Sequence, residues 1–301
     1  MQVCPISTRK AERMLTLLER TITSLDRRLV LLAPQSRVSG FFKNVETDSR
    51  RHRDLVREMQ KLRGSIYLQD GALGREQLSA EGLHETDEDE QSWHLLMMDS
   101  RQRITGCAWY LEHDVTGTTV RLDDLRVRHS PLARMDEWRD QLKTGVETEL
   151  SRARREKLRY AEVGGWAVSK HSRCTSEGLV LALAGYSLGR LRGGCLGITT
   201  ATVRHCSSSI LRRIGGAPLE ADGEAVPSYY DPRYKCEMEI LRFDSRNPAP
   251  KFNALIDQLR DKLATVPVII RQPVLAFAQR GTYFDDRLWA ARAVQQSAVA
   301  R

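Results

Sequence analysis

The stretch Tyr160–Leu179, YAEVGGWAVSKHSRCTSEGL, decides the fold. It reads as a strand, a turn and the opening of a helix. Three features are out of place in an ordinary unit of that kind. A carboxylate, Glu162, stands inside an apolar strand; the pair Gly164–Gly165 interrupts that strand; a cation, Arg173, stands just before the helix. Glycines inside a strand weaken it unless a bulge or a close backbone approach requires them. A bulge here would splay the strand from the next one, CLGITTA at 195–201, and open a gap in the middle of the sheet.

The neighbouring segments place this strand in a mixed sheet. Residues 8–32 carry apolar positions at helical spacing, from Met14 to Leu29, and are expected to form an amphipathic arm. A helix is expected over 52–63, ending near Arg63–Gly64, followed by the extended piece SIYLQD. Trp93–Asp99 and Ile104–His113 read as strands joined by a polar turn, and TTVRLDDLRV at 118–127 as a third strand or a strand-like edge. Leu132–Lys157 has helical spacing, as has Thr175–Leu191, where Thr175 or Ser176 is the expected N-cap. A short helix follows at SSSILRRIGG, then a long strand at Lys235–Asp244, a helix at Asn253–Leu263 and a last strand at VPVII. Residues 272–301 are poorly patterned apart from a short helix expected around Trp289. Antiparallel strands come first and a strand–helix–strand–helix–strand run second, which makes an α/β fold.

The chain has 301 residues, 41% apolar and 29% charged, with a net charge of +8. That length and apolar content support one large domain with appendages. The positive balance favours anionic partners. The six cysteines, Cys4, Cys107, Cys174, Cys195, Cys206 and Cys236, include no C-x-x-C pair and are expected as free thiols in a reducing compartment. The N-terminus lacks the apolar core of a signal peptide, and the most apolar stretch, VPVIIRQPVLAFA, is broken by Arg271 and by prolines. A cytoplasmic protein is expected, with no membrane span and at most weak contact of the N-terminal arm with a membrane surface.

The element order, together with three short segments, resembles the GNAT-fold acyltransferases, closest to the branch that holds acyl-homoserine-lactone (autoinducer) synthases and N-acyl amino acid synthases. KLRGSIY resembles that branch's R-x-x-x-F/Y segment, with Arg63 and Tyr67. TDEDEQSWHLL resembles its D-x-x-D segment before an aromatic strand start, with Asp87, Asp89 and Trp93, and YAEVGGWAV its E-x-x-R-aromatic segment. The arginine of that last pattern is Gly165 here. The general phosphate-loop pattern Q/R-x-x-G-x-G/A reads Arg173 to Gly178, with Ser176 in place of the middle glycine.

The resemblance implies a GNAT-like, mostly antiparallel sheet splayed between its central strands and flanked by helices. It divides the chain into a helical arm and linker (1–50), the acyltransferase domain (51–270) and a tail (271–301). It implies transfer of a fatty acyl group from an acyl-carrier-protein thioester to the amine of an amino acid. Glu162 would be the general base, and the backbone N–H of Gly165 or Trp166 would face the thioester carbonyl. Arg173, Thr175, Ser176 and Gly178 would hold the pantetheine phosphate at a helix N-terminus. Arg63 would read the acceptor carboxylate, and Tyr67 and Trp93 would line the pocket. No tightly bound cofactor and no metal are expected; the donor is a phosphopantetheine thioester. The tyrosine acid of many GNAT enzymes is Leu211 here, which leaves His205 or Ser207–Ser209 as substitutes. An acetyl-coenzyme-A-dependent acetyltransferase is the same-fold alternative. A basic nucleic-acid-binding module is the other, but the basic residues are scattered and no recognition motif is present, so no nucleic acid is expected.

Overall fold

The computed structural model describes residues 28–34, 38–173, 175–204 and 207–272, together with Leu18 and Ile22. In chain order the first half contains β1 (Leu29–Leu32), β2 (Val45–Thr47), α1 (Ser49–Gln69), β3 (Trp93–Met98), β4 (Ile104–His113) and α2 (Asp136–Glu156). The second half begins with β5 (Arg159–Val168), α3 (Glu177–Leu191), β6 (Cys195–Thr202) and α4 (Ser207–Ile214). Four short strands follow: β7 (Ala217–Pro218), β8 (Glu220–Ala221), β9 (Glu224–Ala225) and β10 (Tyr229–Asp231). The chain then forms β11 (Cys236–Asp244), α5 (Asn253–Leu263) and β12 (Val268–Ile270).

One sheet runs β10-β11-β6-β5-β4-β3-β1-β12-β2, with β7 also on β11; β8 and β9 form a separate hairpin. Pairing is antiparallel except for β5–β6, β1–β12 and β12–β2, which are parallel. Alternate residues feed opposite layers, as the strand period demands. Leu29, Leu31, Leu95 and Met97 pack with Val180, Leu183 and Ile256 of α3 and α5. Val30, Leu32, Leu96 and Met98 pack instead with Val56 and Met59 of α1. Farther along the sheet, Leu142, Val146 and Leu150 of α2 cover Tyr160, Leu196 and Ile198. Residues of segments 85–88, 126–130 and 229–234 line one cleft together with residues of β4, β5 and β6.

Several elements differ from the sequence reading, among them β2, which lies in the segment read as a linker. Leu29–Leu32 is a strand inside the main sheet, not the end of the helical arm, because LVLL is buried on both faces and pairs with β3 and β12. The rest of the expected arm lies outside the described residues, except that Leu18 and Ile22 are helical and buried in the core. Helix α1 does not stop at Gly64 but runs through SIYLQ to Gln69. Gly64 marks a close approach instead: a Cβ there would meet the Gly82 carbonyl oxygen at 2.7 Å. The expected strand at 118–127 is a pair of 3-10 turns, Leu122–Asp124 and Arg126–His129. Leu122, Leu125 and Val127 all enter one apolar cluster, a spacing that alternation across a sheet cannot satisfy. Trp289 and the expected tail beyond Gln272 lie outside the described residues. Among the described residues no helix is long and apolar enough to cross a membrane, and Cys107, Cys195 and Cys236 are free thiols.

Candidate functional site

The site begins with the glycine pair. Across β4 and β5, Cys107 faces Ala167 and Trp109 faces Gly164, so β5 holds one residue more than β4 between these pairs. Gly165 takes up the excess with φ +62, a left-handed conformation natural to glycine. The indole of Trp109 lies against the same two residues. A Cβ on Gly165 would stand 2.2 Å from its Cδ1, and one on Gly164 2.4 Å from its Cζ2. Bulge and close approach therefore coincide.

On its other edge β5 pairs with β6 only from Arg159↔Cys195 to Glu162↔Ile198. Both strands continue past this point. β5 stays on β4 as far as Val168, and β6 stays on β11 as far as Thr202, but they no longer pair with each other. The expected gap is therefore present, and it starts at Glu162.

A cleft of about 280 Å³ opens there, lined at its floor by Glu162, Val163, Ile198, Thr199 and Thr200. Glu162 is 3% exposed, its side chain turned into the protein rather than into solvent. Its Oε1 accepts the Arg126 N–H at 2.9 Å and lies 3.0 Å from His113 Nε2; its Oε2 accepts the Val127 N–H at 3.2 Å. A carboxylate has about four acceptor positions, so these three leave about one for a ligand or water. Arg126 does more than donate its N–H. Its guanidinium pairs with Glu88 and stands 5.8 Å from the Trp109 ring centre. Arg233, also in the lining, is paired with Asp231 at 2.7 Å. His129 is held below the usual histidine range by burial, then by the charges of Arg128 and Arg126.

The other candidates from the sequence fall in different places. Arg63 cannot read an acceptor carboxylate: it is 0% exposed, bonds Asp89 through two nitrogens at 2.9 and 2.6 Å, and bonds His84 as well. Trp93 is a core residue stacked on Phe42 with ring centres 5.1 Å apart. Tyr67 lies behind the cleft, its hydroxyl 3.5 Å from the Trp166 carbonyl and its ring edge-on to Tyr234 of the lining. The two acids of the D-x-x-D-like segment part company, Asp89 buried on Arg63 and Asp87 on the cleft rim. Gly165 and Trp166 continue β5 beyond the residues that line the cleft.

At the head of α3, Thr175 Oγ1 accepts the Glu177 N–H at 3.2 Å, and Ser176 is the N-cap residue without a side-chain capping bond. Gly178 lies beneath Trp166, where a Cβ would sit 3.4 Å from the ring. Arg173 is paired with Asp70 at 2.6 Å, and the first helical residue, Glu177, is held by Arg28 and Thr105. A phosphate arriving there would exchange partners with these carboxylates. His205 lies outside the described residues.

The sequence reading missed His113, Trp109, Arg126 and Val127. A signal for two of them was present: with β4 paired to β5, the period of two puts Trp109 and His113 on the Glu162 face. For Arg126 and Val127 there was none, since a strand there would have used their N–H groups in a ladder.

No family model matches the sequence, and no curated protein sequence matches it. Among solved structures, the chain is similar to BjaI, a CoA-dependent acyl-homoserine lactone synthase solved with SAM and isopentyl-CoA, at 13% identity and a TM-score of 0.47, over 89% of this chain and 99% of that one. It is similar to FeeM, an N-acyl amino acid synthase from uncultured soil microbes, at 13% identity and a TM-score of 0.39, over 66% and 88%. It is also similar to an agmatine N-acetyltransferase at 14% identity and a TM-score of 0.39, over 72% of this chain and 99% of that one.

Proposed function

We propose that the protein is an N-acyltransferase that moves an acyl group from a phosphopantetheine thioester to an amine. The observation that carries this reading is the break in β5–β6 pairing at Glu162↔Ile198, with a buried carboxylate at the vertex of the opening. An extended thioester arm between separated parallel strands presents its carbonyl to that vertex. The amine nitrogen attacks the carbonyl carbon, an N–C bond forms, and the nitrogen's proton passes to Glu162, directly or through one water. The C–S bond then breaks, and the departing thiolate takes up a proton. A positioned base of this kind contributes about 10²- to 10⁴-fold. A backbone N–H of Gly165 or Trp166 is the proposed donor to the oxyanion, worth about 3 kcal/mol.

Acyl carrier protein is the proposed donor carrier. Ser176 in place of a loop glycine suits a single phosphate better than a pyrophosphate, and a chain of net charge +8 complements an acidic carrier. The amino-acid acceptor loses its support with Arg63, because the guanidinium groups that line the cleft, Arg126 and Arg233, are both paired with carboxylates. The test is thiol release and product mass by the full chain, supplied with acyl-carrier-protein or acyl-coenzyme A and a range of amines. Release with the carrier-bound donor supports the reading. Release with coenzyme A alone replaces the carrier. Silence with both donors across acyl lengths and amines overturns the reading.

A further inference from the structure

Five carboxylates line the cleft, those of Glu85, Asp87, Glu88, Glu162 and Asp231. Glu88 and Asp231 are paired with Arg126 and Arg233, and Glu85 and Asp87 are exposed. Glu162 differs from all four. It is buried, and it is held by two backbone N–H groups and an imidazole, with no guanidinium among them.

These contacts fall unevenly on its two oxygens. Oε1 accepts the Arg126 N–H at 2.9 Å and meets His113 Nε2 at 3.0 Å, which fills both of its acceptor positions. Oε2 accepts only the Val127 N–H, at 3.2 Å, so the open position is on Oε2. His113 reaches Glu162 diagonally across β4 and β5, since Glu162 faces Leu111 and His113 faces Tyr160. Its side chain is 13% exposed, and it is not among the described residues that line the cleft. It stands behind the carboxylate, on the last residue of β4, where a turn held by Asp114 fixes the strand end: the Asp114 side chain accepts the N–H groups of Thr116 and Gly117, each at 3.0 Å.

A carboxylate oxygen only accepts, so the hydrogen of the Glu162–His113 contact is on Nε2. That donor suits both ends of a proton transfer. When Oε2 takes up a proton, Oε1 becomes a carbonyl oxygen that still accepts from Nε2–H, and neither the ring nor the turn has to rearrange. Without the imidazole, Oε1 would have an open position as well, and the carboxylate would no longer be committed to one oxygen.

We propose that His113 is a positioning residue for the acyl-transfer step: its Nε2–H occupies Oε1 of Glu162, so that Oε2 alone is left to receive the proton of the amine. The inference rests on the acyl-transfer reading. The N–C bond forms and the C–S bond breaks; the amine's proton goes to Oε2, and His113 neither gains nor loses one.

The full chain tests this as wild type, His113→Leu, His113→Gln, Glu162→Gln and the double variant His113→Leu with Glu162→Gln. Thiol release is followed with the donor and amine on which the wild type turns over. His113→Leu is expected to lower kcat by about 10- to 100-fold, the scale of a hydrogen bond to a charged group, with KM for the donor unchanged because His113 does not line the cleft. His113→Gln offers an amide N–H near the position of Nε2 and is expected to recover most of that loss. In the Glu162→Gln background, His113→Leu is expected to cost about 2-fold or less, since a residue that acts through Glu162 has nothing further to position. A residue that only supports the fold would lower kcat by the same factor in both backgrounds, and that result overturns the inference. So does a His113→Leu enzyme with wild-type kcat, which leaves acyl transfer standing. Wild type that releases no thiol removes the acyl-transfer reading and the inference with it. ¹⁵N NMR of the wild-type imidazole needs no variant to fold: a hydrogen on Nε2 is expected, and a bare Nε2 with the hydrogen on Nδ1 overturns the assignment.

Discussion

Glu162 Oε1 lies 2.9 Å from the backbone nitrogen of Arg126, a residue 36 positions earlier. The contact ties the central strand to the turn that walls the cleft. It also means that Glu162 serves the scaffold and the proposed chemistry with the same two oxygens. Glu162→Gln separates these roles. An amide has one acceptor oxygen and a donor NH₂, so at least one of the Arg126 and Val127 N–H groups loses its partner, at about 1–3 kcal/mol. Loss of the base costs about 10²- to 10⁴-fold in kcat/KM. Calorimetry and acyl-transfer kinetics on the same preparation are expected to show both. A lowered melting temperature with turnover intact would leave Glu162 a purely structural role.

Gly165→Ala meets two obstacles, the φ of +62 and the Trp109 ring 2.2 Å from the new Cβ. A side chain in that backbone region costs about 1–3 kcal/mol, and the overlap adds to it. Pairing the change with Trp109→Ala removes the overlap but not the backbone term. In urea melts, Gly165→Ala is expected to unfold earlier in the wild-type background than in Trp109→Ala, measured against each parent. Equal losses in both backgrounds would show that the indole imposes no constraint on the bulge.

The bulge and the gap were legible in the sequence because glycine and glutamate are costly inside a strand and mark it wherever they occur. Helix Asn253–Leu263 has in the structure the bounds read from the sequence, and the strand read at the start of Tyr160–Leu179 is Arg159–Val168. Leu29–Leu32 was not legible as a strand. A four-residue apolar run buried on both faces has no alternation to show, and its parallel partner, Val268–Ile270, lies at the other end of the chain. Arg63 misled for a related reason. An arginine near a pocket motif looks like a ligand reader until the fold places Asp89 against it. The acidic lining of the cleft was invisible because its carboxylates come from one loop, 85–88, and from two strands, β5 and β10, that are distant in sequence.

The Arg63–Asp89 pair is fully buried, with side-chain exposures of 1% and 2%. Asp89 also accepts from Gln60 and from the Thr86 N–H, so the pair anchors the loop that carries Glu85 to Glu88 into the cleft wall. Asp89→Asn leaves the Arg63 charge buried without its counter-charge, at about 3–5 kcal/mol. Burial pushes the Asp89 carboxyl up, but the Arg63 hydrogen bonds and charge outweigh it and hold the group below the ordinary aspartate range. A depressed folded value stabilises the native state above the unfolded pKa, about 3.9, and that contribution is lost as pH falls below it. The stability gap between wild type and Asp89→Asn is therefore expected to be constant from pH 7 to about 5 and to shrink below about pH 4. Denaturant melts at stepped pH measure it; a gap that widens on acidification would show that the pair does not carry this stability.

His94 acts in the same direction over a higher pH window. Its ring is 1% exposed, with Nε2 at 2.8 Å from the Asp89 carbonyl and Nδ1 buried without a partner, an arrangement for a neutral imidazole. Burial pulls it down to about 4, only partly opposed by Asp89. The unfolded chain, with histidine near about 6.5, therefore binds more protons than the native state between these values, and stability falls as pH falls through that interval. His84, bonded by Arg63 and also pulled down to about 4 by burial and by the Arg63 charge, acts in the same direction. Acid destabilisation of the wild type is thus expected to begin near pH 6.5, above the carboxylate range. His94→Gln cannot titrate. Whatever its stability at pH 7, its unfolding free energy is expected to depend less on pH between about 6.5 and 4 than that of the wild type. Parallel slopes in that interval would mean that His94 is protonated equally in the folded and unfolded states, and that its buried ring is not the source of the acid sensitivity.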